Sequence, residues 1–212
     1  MLGYSRIYSD KRHSREKSKN SRKFYQDTGL CQGQSPPTPP VVAKVSDVDW
    51  NTVKPLRAGV IVYTLYTPCS LEKTPKNKLL FCMGVDRKTS EITDFGGGVS
   101  YKKDKTTAAG ALREFTEESL GVFGKFYPSS LDNCVVVYNN NMAIFFLPLV
   151  CSPEDVTHTF SERYRKERSN EVSSLAWMDK KGFLRCLFAE KIFYVRVSKL
   201  LQPVIKEVLE ML

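Results

Sequence analysis

Five apolar segments rich in β-branched and aromatic residues are the feature that most constrains the fold. They read RAGVIVYTLY, LLFCMGVD, NCVVVYN, MAIFFLPLV and VSSLAWMD, at residues 57–66, 79–86, 133–139, 142–150 and 172–179. Segments of this length and composition predict buried β-strands. TSEITDF adds a short strand ahead of three glycines, and the Asn-rich stretch between the third and fourth segments predicts a turn. A sheet therefore dominates the predicted fold.

Helical segments alternate with these strands. Residues 106–119 carry apolar side chains at spacings of three and four, which predicts an amphipathic helix against the core. Residues 151–171 mix acids, bases and aromatics, and we interpret them as a helix plus a loop. Apolar residues at helical spacing over 200–212 predict one C-terminal amphipathic helix with Pro203 in its first turn. Strands interleaved with helices place the chain in the α/β class.

The N-terminal region differs in composition from the rest of the chain. The formal net charge is +9, and residues 1–24 hold eight basic and two acidic residues, so they contribute +6 of it. Four prolines follow within residues 36–40 and predict an extended linker. We therefore predict a basic, disordered tail and linker over 1–40 and one domain over 41–212. The tail could contact RNA, direct nuclear import, or be a solvated arm.

Composition also indicates the compartment. The N-terminus lacks an apolar core of signal-peptide length, which disfavours secretion. The longest apolar run, residues 142–151, is about half as long as a membrane span requires. Six cysteines lie singly along the chain, a usage typical of a reduced compartment. We expect a soluble intracellular protein with no membrane partner, in the cytoplasm or, through its basic tail, the nucleus. Nothing in the sequence indicates an oligomeric state.

The sequence REFTEE near the end of the predicted helix concentrates carboxylates. Glu114, Glu117 and Glu118 stand at i, i+3 and i+4, so they share one helix face. Three like charges this close repel and raise one another's pKa values, and a hard divalent cation relieves the repulsion. The bland alternative is a solvated helix face. The adjacent Arg113 and the glycines around Gly97, whose backbone can approach a ligand closely, favour a metal site.

These residues resemble the Nudix box, whose pattern is G-x5-E-x7-R-E-U-x-E-E-x-G-U with U aliphatic or aromatic. Residues 113–118 reproduce R-E-U-x-E-E residue for residue. The resemblance implies an α/β/α sandwich with a mixed sheet and hydrolysis of a nucleoside diphosphate linked to another moiety. It also implies that Mg²⁺ or Mn²⁺ is held by Glu114, Glu117 and Glu118, with the Gly97 backbone as a further ligand.

Two departures from the pattern lie on either side of the helix. If Gly97 is the first glycine, the loop is two residues longer and the loop glutamate falls on Lys105, where the adjacent Asp104 could substitute. One extra residue also separates Glu118 from Gly121. This lengthened pattern is similar to that of Nudix proteins from large DNA viruses.

The general base of the family varies and can be a glutamate outside the box. The candidates in this chain are Glu154, Glu162, Glu167 and Glu171. We favour Glu171, because it directly precedes a predicted strand that could aim it at the site. The alternative for any one of them, and the more common case, is an ordinary surface glutamate.

The substrate is less constrained by the sequence than the metal site. Arg113 and the loop residues Lys102, Lys103 and Lys105 are the predicted substrate contacts. An mRNA cap suits the basic tail, because Lys and Arg neutralise RNA phosphates. ADP-ribose, nucleotide sugars, and dinucleoside or diphosphoinositol polyphosphates are the smaller alternatives. An alternative of another class is a catalytically idle module that binds RNA or a protein.

Overall fold

The computed structural model describes residues 36–66 and 78–212, a mixed α/β structure. The strands in these ranges are β1 (Val41–Lys44), β2 (Arg57–Tyr66), β3 (Lys78–Asp86), β4 (Ile92–Thr93), β5 (Phe95–Gly98), β6 (Val135–Tyr138), β7 (Met142–Pro148) and β8 (Val172–Asp179). The α-helices are α1 (Thr107–Glu118), α2 (Pro153–Lys166), α3 (Lys180–Phe188), α4 (Val195–Leu201) and α5 (Ile205–Met211). Every strand predicted from an apolar segment is therefore present.

All eight strands belong to one mixed sheet with the order β1-β6-β7-β2-β3-β4. The β2–β7 pair is parallel, and the other neighbouring strands are antiparallel. β2 divides one of its edges between two partners, because its first half pairs with β5 and its second half with β3. β8 pairs with β3. This division brings the glycine-rich β5 to the centre of the sheet.

The two faces of the sheet bury separate apolar clusters, because side chains alternate along each strand. In β2, Val60 and Val62 face the cluster that contains Phe115 of α1 and Phe160 of α2. Ile61 faces the cluster formed with α3, α4 and α5. Helices therefore cover both faces, and the predicted α/β/α sandwich with a mixed sheet is confirmed.

The predicted single C-terminal helix is wrong. The structure has α4 and α5 with Pro203 between them. Because α4 begins at Val195, Pro203 would fall inside a continuous helix rather than in its first turn. Proline has no N–H to donate and its ring clashes with the preceding turn, so the helix breaks. β1 and α3 have no counterpart among the elements predicted from the sequence.

The predicted tail lies mostly outside the described residues, which begin at residue 36. Within the linker, the Thr38 amide donates to Asn140 Oδ1 at 2.9 Å, so this part of the chain contacts the β6–β7 turn. The domain boundary near residue 40 stays a prediction. The four cysteines of the described ranges are unpaired. Among the helices of those ranges, none has the length and apolar composition that crossing a membrane demands.

Candidate functional site

The glycine run meets helix α1 at the middle of the sheet. Gly97 pairs with Ala58 of β2 and lies directly against Glu114. A Cβ atom at Gly97 would stand 2.5 Å from Glu114 Cδ and 2.6 Å from both of its carboxylate oxygens. Since real Cβ atoms do not approach other atoms so closely, only glycine at this position leaves room for the Glu114 carboxylate.

Helix α1 turns its acidic face towards the same place. Thr106 caps the helix by accepting a hydrogen bond from the Ala109 amide at 3.1 Å. The apolar stripe of α1, which includes Leu112 and Phe115, packs into the core and fixes the rotation of the helix about its axis. The glutamates occupy the neighbouring face, and all three line a cleft.

A cleft of about 560 Å³ opens between β5, α1 and the segment that joins α2 to β8. Its lining residues are Gly97, Gly98, Glu114, Glu117, Glu118, Leu120, Glu167, Ser169, Asn170 and Glu171. The structure thus brings the predicted metal-binding residues together in one cleft. It also places the favoured base, Glu171, on the opposite wall, together with Glu167.

Arg113 organises the carboxylates at the mouth of the cleft. Its Nε donates to Asp104 Oδ1 at 2.9 Å, and Nη2 donates to Asp104 Oδ2 at 3.2 Å and to the Gly98 carbonyl at 2.9 Å. Its Nη1 donates to Glu114 Oε1 at 2.8 Å and to Glu117 Oε2 at 3.3 Å. Arg113 therefore binds both carboxylate oxygens of Asp104 and holds the pKa of Asp104 below its usual range. That Asp104 substitutes for the loop glutamate stays a prediction.

Glu118 is the most deeply placed carboxylate of the cleft, at 8% exposure. The Gly96 amide donates to its Oε2 at 2.7 Å. Burial and the neighbouring charge of Asp94 raise the pKa of Glu118 to about 9, although the Gly96 hydrogen bond and Arg57 oppose the rise. Without a cation the carboxyl group therefore holds a proton at neutral pH. A bound cation would release that proton, because metal ligands bind in their deprotonated form.

The extra residue after Glu118 is accommodated by two left-handed residues. Leu120 has φ 55° and Gly121 has φ 64°, and the Gly121 amide donates to the Thr116 carbonyl at 2.9 Å. The second wall of the cleft is attached at this same helix end. Arg163 Nη1 donates to the Leu120 carbonyl at 2.6 Å, and Asn170 Nδ2 donates to the Glu118 carbonyl at 2.7 Å.

Other predicted site residues lie away from the cleft lining. Lys102, Lys103 and Lys105 are exposed on the loop between β5 and α1, and their contact with substrate stays a prediction. Glu154 accepts a hydrogen bond from the Tyr66 hydroxyl at 3.0 Å, and Glu162 Oε1 lies 3.4 Å from His158 Nε2. Neither glutamate lines the cleft.

Asn170 is a residue of the cleft that the sequence analysis missed. Besides the Glu118 carbonyl, its Nδ2 contacts the Val172 carbonyl at 3.0 Å, so it joins α1 to the start of β8. An Asn next to a candidate base, between a helix and a strand, was the available signal. It was too weak to separate a bridging amide from an ordinary turn residue.

The residues of the cleft suit a hard cation. Five of them are glutamates, and carboxylate oxygens are the ligands that Mg²⁺ and Mn²⁺ prefer. As they stand, no three His, Cys, Asp or Glu side chains of the described ranges converge on one point. Arg113 lies between Glu114 and Glu117 instead. Because the Glu117 side chain is 60% exposed, it can turn towards a cation without disturbing the core.

No protein-family model and no curated protein sequence matches the chain. Among solved structures, the chain is similar to the crystal structure of C. elegans Ap4A hydrolase, with 16% sequence identity and a TM-score of 0.39. The match covers 72% of this chain and 96% of that one. At this identity and TM-score the likeness carries no conclusion about chemistry, which has to come from the residues of the cleft.

Proposed function

We propose that this chain hydrolyses a diphosphate bond in a nucleoside diphosphate linked to another moiety, with the help of Mg²⁺ or Mn²⁺. The observation that supports the proposal is the cleft, which is lined by three helix carboxylates, by the glycine strand and by Glu171. A protein that only binds RNA or a partner would gain nothing from burying Glu118 among other acids, because that arrangement disfavours its charged form.

The roles of the residues follow from their positions. Glu114, Glu117 and Glu118 would hold the cation, which supplies charge neutralisation and Lewis acidity to the diphosphate when it is bound. Arg113 fixes the orientation of Glu114 through the 2.8 Å hydrogen bond between Nη1 and Oε1. Glu171 stands on the opposite wall, where it would accept the proton of the attacking water.

A hydrolysis screen tests the proposal. The substrates are cap-labelled RNA, ADP-ribose, a nucleotide sugar, dinucleoside polyphosphates and diphosphoinositol polyphosphates, each with and without Mg²⁺ or Mn²⁺. We expect metal-dependent release of a monophosphate product from at least one of them. Turnover of none of them, or equal turnover by Glu118→Gln, would contradict the metal–carboxylate mechanism. RNA binding without any hydrolysis would favour the binding-module alternative.

Glu171→Gln is expected to lower kcat by about 100-fold, because a positioned general base contributes roughly 10² to 10⁴ in rate. Glu167→Gln is the matched variant on the same wall. Glu167 accepts a hydrogen bond from Ser169 Oγ at 2.5 Å and is therefore already engaged. Single-turnover kinetics of both variants check the prediction. A larger loss with Glu167→Gln would assign the base to that residue instead.

Among substrates, we propose capped RNA ahead of the small nucleotide-linked molecules. The basic residues 1–24 support this choice. Exposed Arg165 and Lys166 add positive charge immediately before the second wall of the cleft, and exposed Arg168 adds a further charge within it. Such groups neutralise phosphates irrespective of sequence, whereas ADP-ribose or a nucleotide sugar has no phosphate chain to reach them.

Deleting residues 1–24 is expected to weaken binding of a short capped RNA by at least about 10-fold at low salt. It should also flatten the dependence of log affinity on log salt by about 0.7 for each RNA phosphate that the tail neutralises. Fluorescence anisotropy across a salt series measures both quantities. The deletion stops before Thr38, so the hydrogen bond to the β6–β7 turn is kept. Unchanged affinity and slope would identify the tail as a solvated arm.

A further inference from the structure

A buried ion pair lies outside the cleft lining and takes no direct part in the proposed hydrolysis. Arg57 Nη1 donates to Asp94 Oδ2 at 2.8 Å, and Arg57 Nη2 donates to Asp94 Oδ1 at 2.7 Å. The side chains of Arg57 and Asp94 are 15% and 0% exposed. This pairing satisfies both oxygens of a fully buried carboxylate.

The sheet is shaped around this carboxylate. Gly59 of β2 and Gly96 of β5 are paired across the sheet, and Asp94 Oδ2 lies against both of them. A Cβ at Gly96 would stand 2.6 Å from Asp94 Oδ2 and 2.5 Å from Gly59 Cα, and a Cβ at Gly59 would overlap Asp94 Oδ2. The central strands β2 and β5 thus have glycines, Gly59 and Gly96, at the positions that contact the Asp94 carboxylate.

The same guanidinium reaches Glu118 through the backbone of Gly96. Arg57 Nη2 donates to the Gly96 carbonyl at 2.9 Å, and the Gly96 amide donates to Glu118 Oε2 at 2.7 Å. Gly96 is therefore held from both sides. Glu118 Oε1 has no hydrogen-bond partner among the described residues, and Glu118 lines the cleft.

Stability alone does not explain this arrangement. Replacing a buried ion pair by apolar residues of similar volume is often neutral or stabilising, since two charges lose their hydration. Here the pair also requires two glycines in central strands, which weakens the strands themselves. The arrangement becomes understandable if the exact placement of Gly96 matters to the cleft.

We propose that Arg57 and Asp94 are a positioning pair that holds Gly96 against Oε2 of Glu118, so that Oε1 is presented to the cation. This inference rests on the proposed function, because it assigns Glu118 to the metal. It adds two residues that lie outside the REFTEE motif and the cleft lining. Neither Arg57 nor Asp94 touches the cation or the substrate in this scheme.

The test measures Mn²⁺ binding and hydrolysis separately in the full chain. Binding is followed by the electron paramagnetic resonance signal of free Mn²⁺, which needs no substrate. Arg57→Lys keeps the charge but cannot bond both Asp94 oxygens and the Gly96 carbonyl together. Arg57→Met with Asp94→Asn removes both charges and leaves no unpaired buried ion. In both variants we expect Mn²⁺ affinity to fall by about 10-fold or more, as is typical when a partner of a metal ligand is removed.

Ile61→Val is the matched control for a general loss of stability. Ile61 lies on the same strand, β2, but faces the cluster on the opposite side of the sheet. The melting temperature of the Ile61→Val variant should fall, while its Mn²⁺ affinity and kcat stay at wild-type values. If the positioning variants fold and retain wild-type Mn²⁺ affinity and kcat, the pair is structural only and the inference is overturned. A wild-type chain that binds no Mn²⁺ and hydrolyses nothing overturns the proposed function, and this inference with it.

Discussion

Glu118→Gln is expected to reduce kcat by about 10² to 10³, the loss typical when one pre-organised group that stabilises transition-state charge is removed. Glutamine keeps the shape of the side chain and can still accept the Gly96 hydrogen bond. It lacks the negative charge that a cation requires. Initial rates at saturating substrate and metal, over a range of metal concentrations, measure the change.

The same substitution is expected to stabilise the metal-free protein at alkaline pH. The pKa of Glu118 is about 9 in the fold against an ordinary value of 4.5. A raised pKa means that the stability of the metal-free fold is fully present below about pH 4.5 and is lost as pH rises towards 9. Glutamine does not ionise and avoids this loss. The loss accumulates at about 1.4 kcal/mol per pH unit and reaches at most about 5 kcal/mol at pH 8. We therefore expect a gain of a few kcal/mol at that pH, or at least about 5 °C in melting temperature.

Thermal unfolding in chelator at pH 5 and pH 8 reveals this second effect, which should be small at pH 5. Glu162→Gln is the control, because Glu162 is exposed and lies outside the cleft. It removes the same charge and should alter neither activity nor the pH dependence. A Glu118→Gln protein that is inactive but less stable than wild type at pH 8 would point to a structural role for Glu118.

Gly97→Ala is expected to lower kcat by about 100-fold, because a displacement of about 1 Å in a catalytic site can cost that much. The added methyl group would stand 2.5 Å from Glu114 Cδ, so the carboxylate has to leave its position beside Arg113. The affinity for Mn²⁺ should fall in parallel.

Gly98→Ala is the matched variant one residue along the same strand. A Cβ at Gly98 meets nothing within 4 Å, so its effect should be much smaller than that of Gly97→Ala. Steady-state kinetics and Mn²⁺ titration of the two alanine variants compare them directly. Equal losses would mean that flexibility of the glycine run matters, and not the space beside Glu114.

The strands and the acidic helix could be predicted because their patterns are local. The β-branched segment at 57–66 and the stripe of α1 each contain the information that determines their type. The break at Pro203 could not be placed, because it depends on where α4 begins. That start, Val195, is set by packing of Val197 and Leu200 against the sheet rather than by a strong cap.

The candidate site also has a part that follows from a local pattern and a part that depends on the tertiary structure. REFTEE could be identified from spacing alone, and its carboxylates do line one cleft. The ion pair of Arg57 and Asp94 could not be predicted from the sequence, because 37 positions separate these two charged residues and neither belongs to a motif. Only the pairing of β2 with β5 brings them together. Asp104 is an intermediate case, since its adjacency to Lys105 made it a candidate, and only the structure shows its hydrogen bond with Arg113.

The parallel pairing of β2 with β7 has a consequence for the order in which the chain can fold. Arg57 pairs with Met142, so this part of the sheet joins residues far apart in the sequence, and the chain between them must be ordered or looped out first. During synthesis, β2 can meet β3 and β5 early, but its other edge stays open until β7 has emerged. The second wall of the cleft, at residues 167–171, follows later still. Helix α1 is therefore synthesised before residues 167–171, which complete the cleft around its carboxylates.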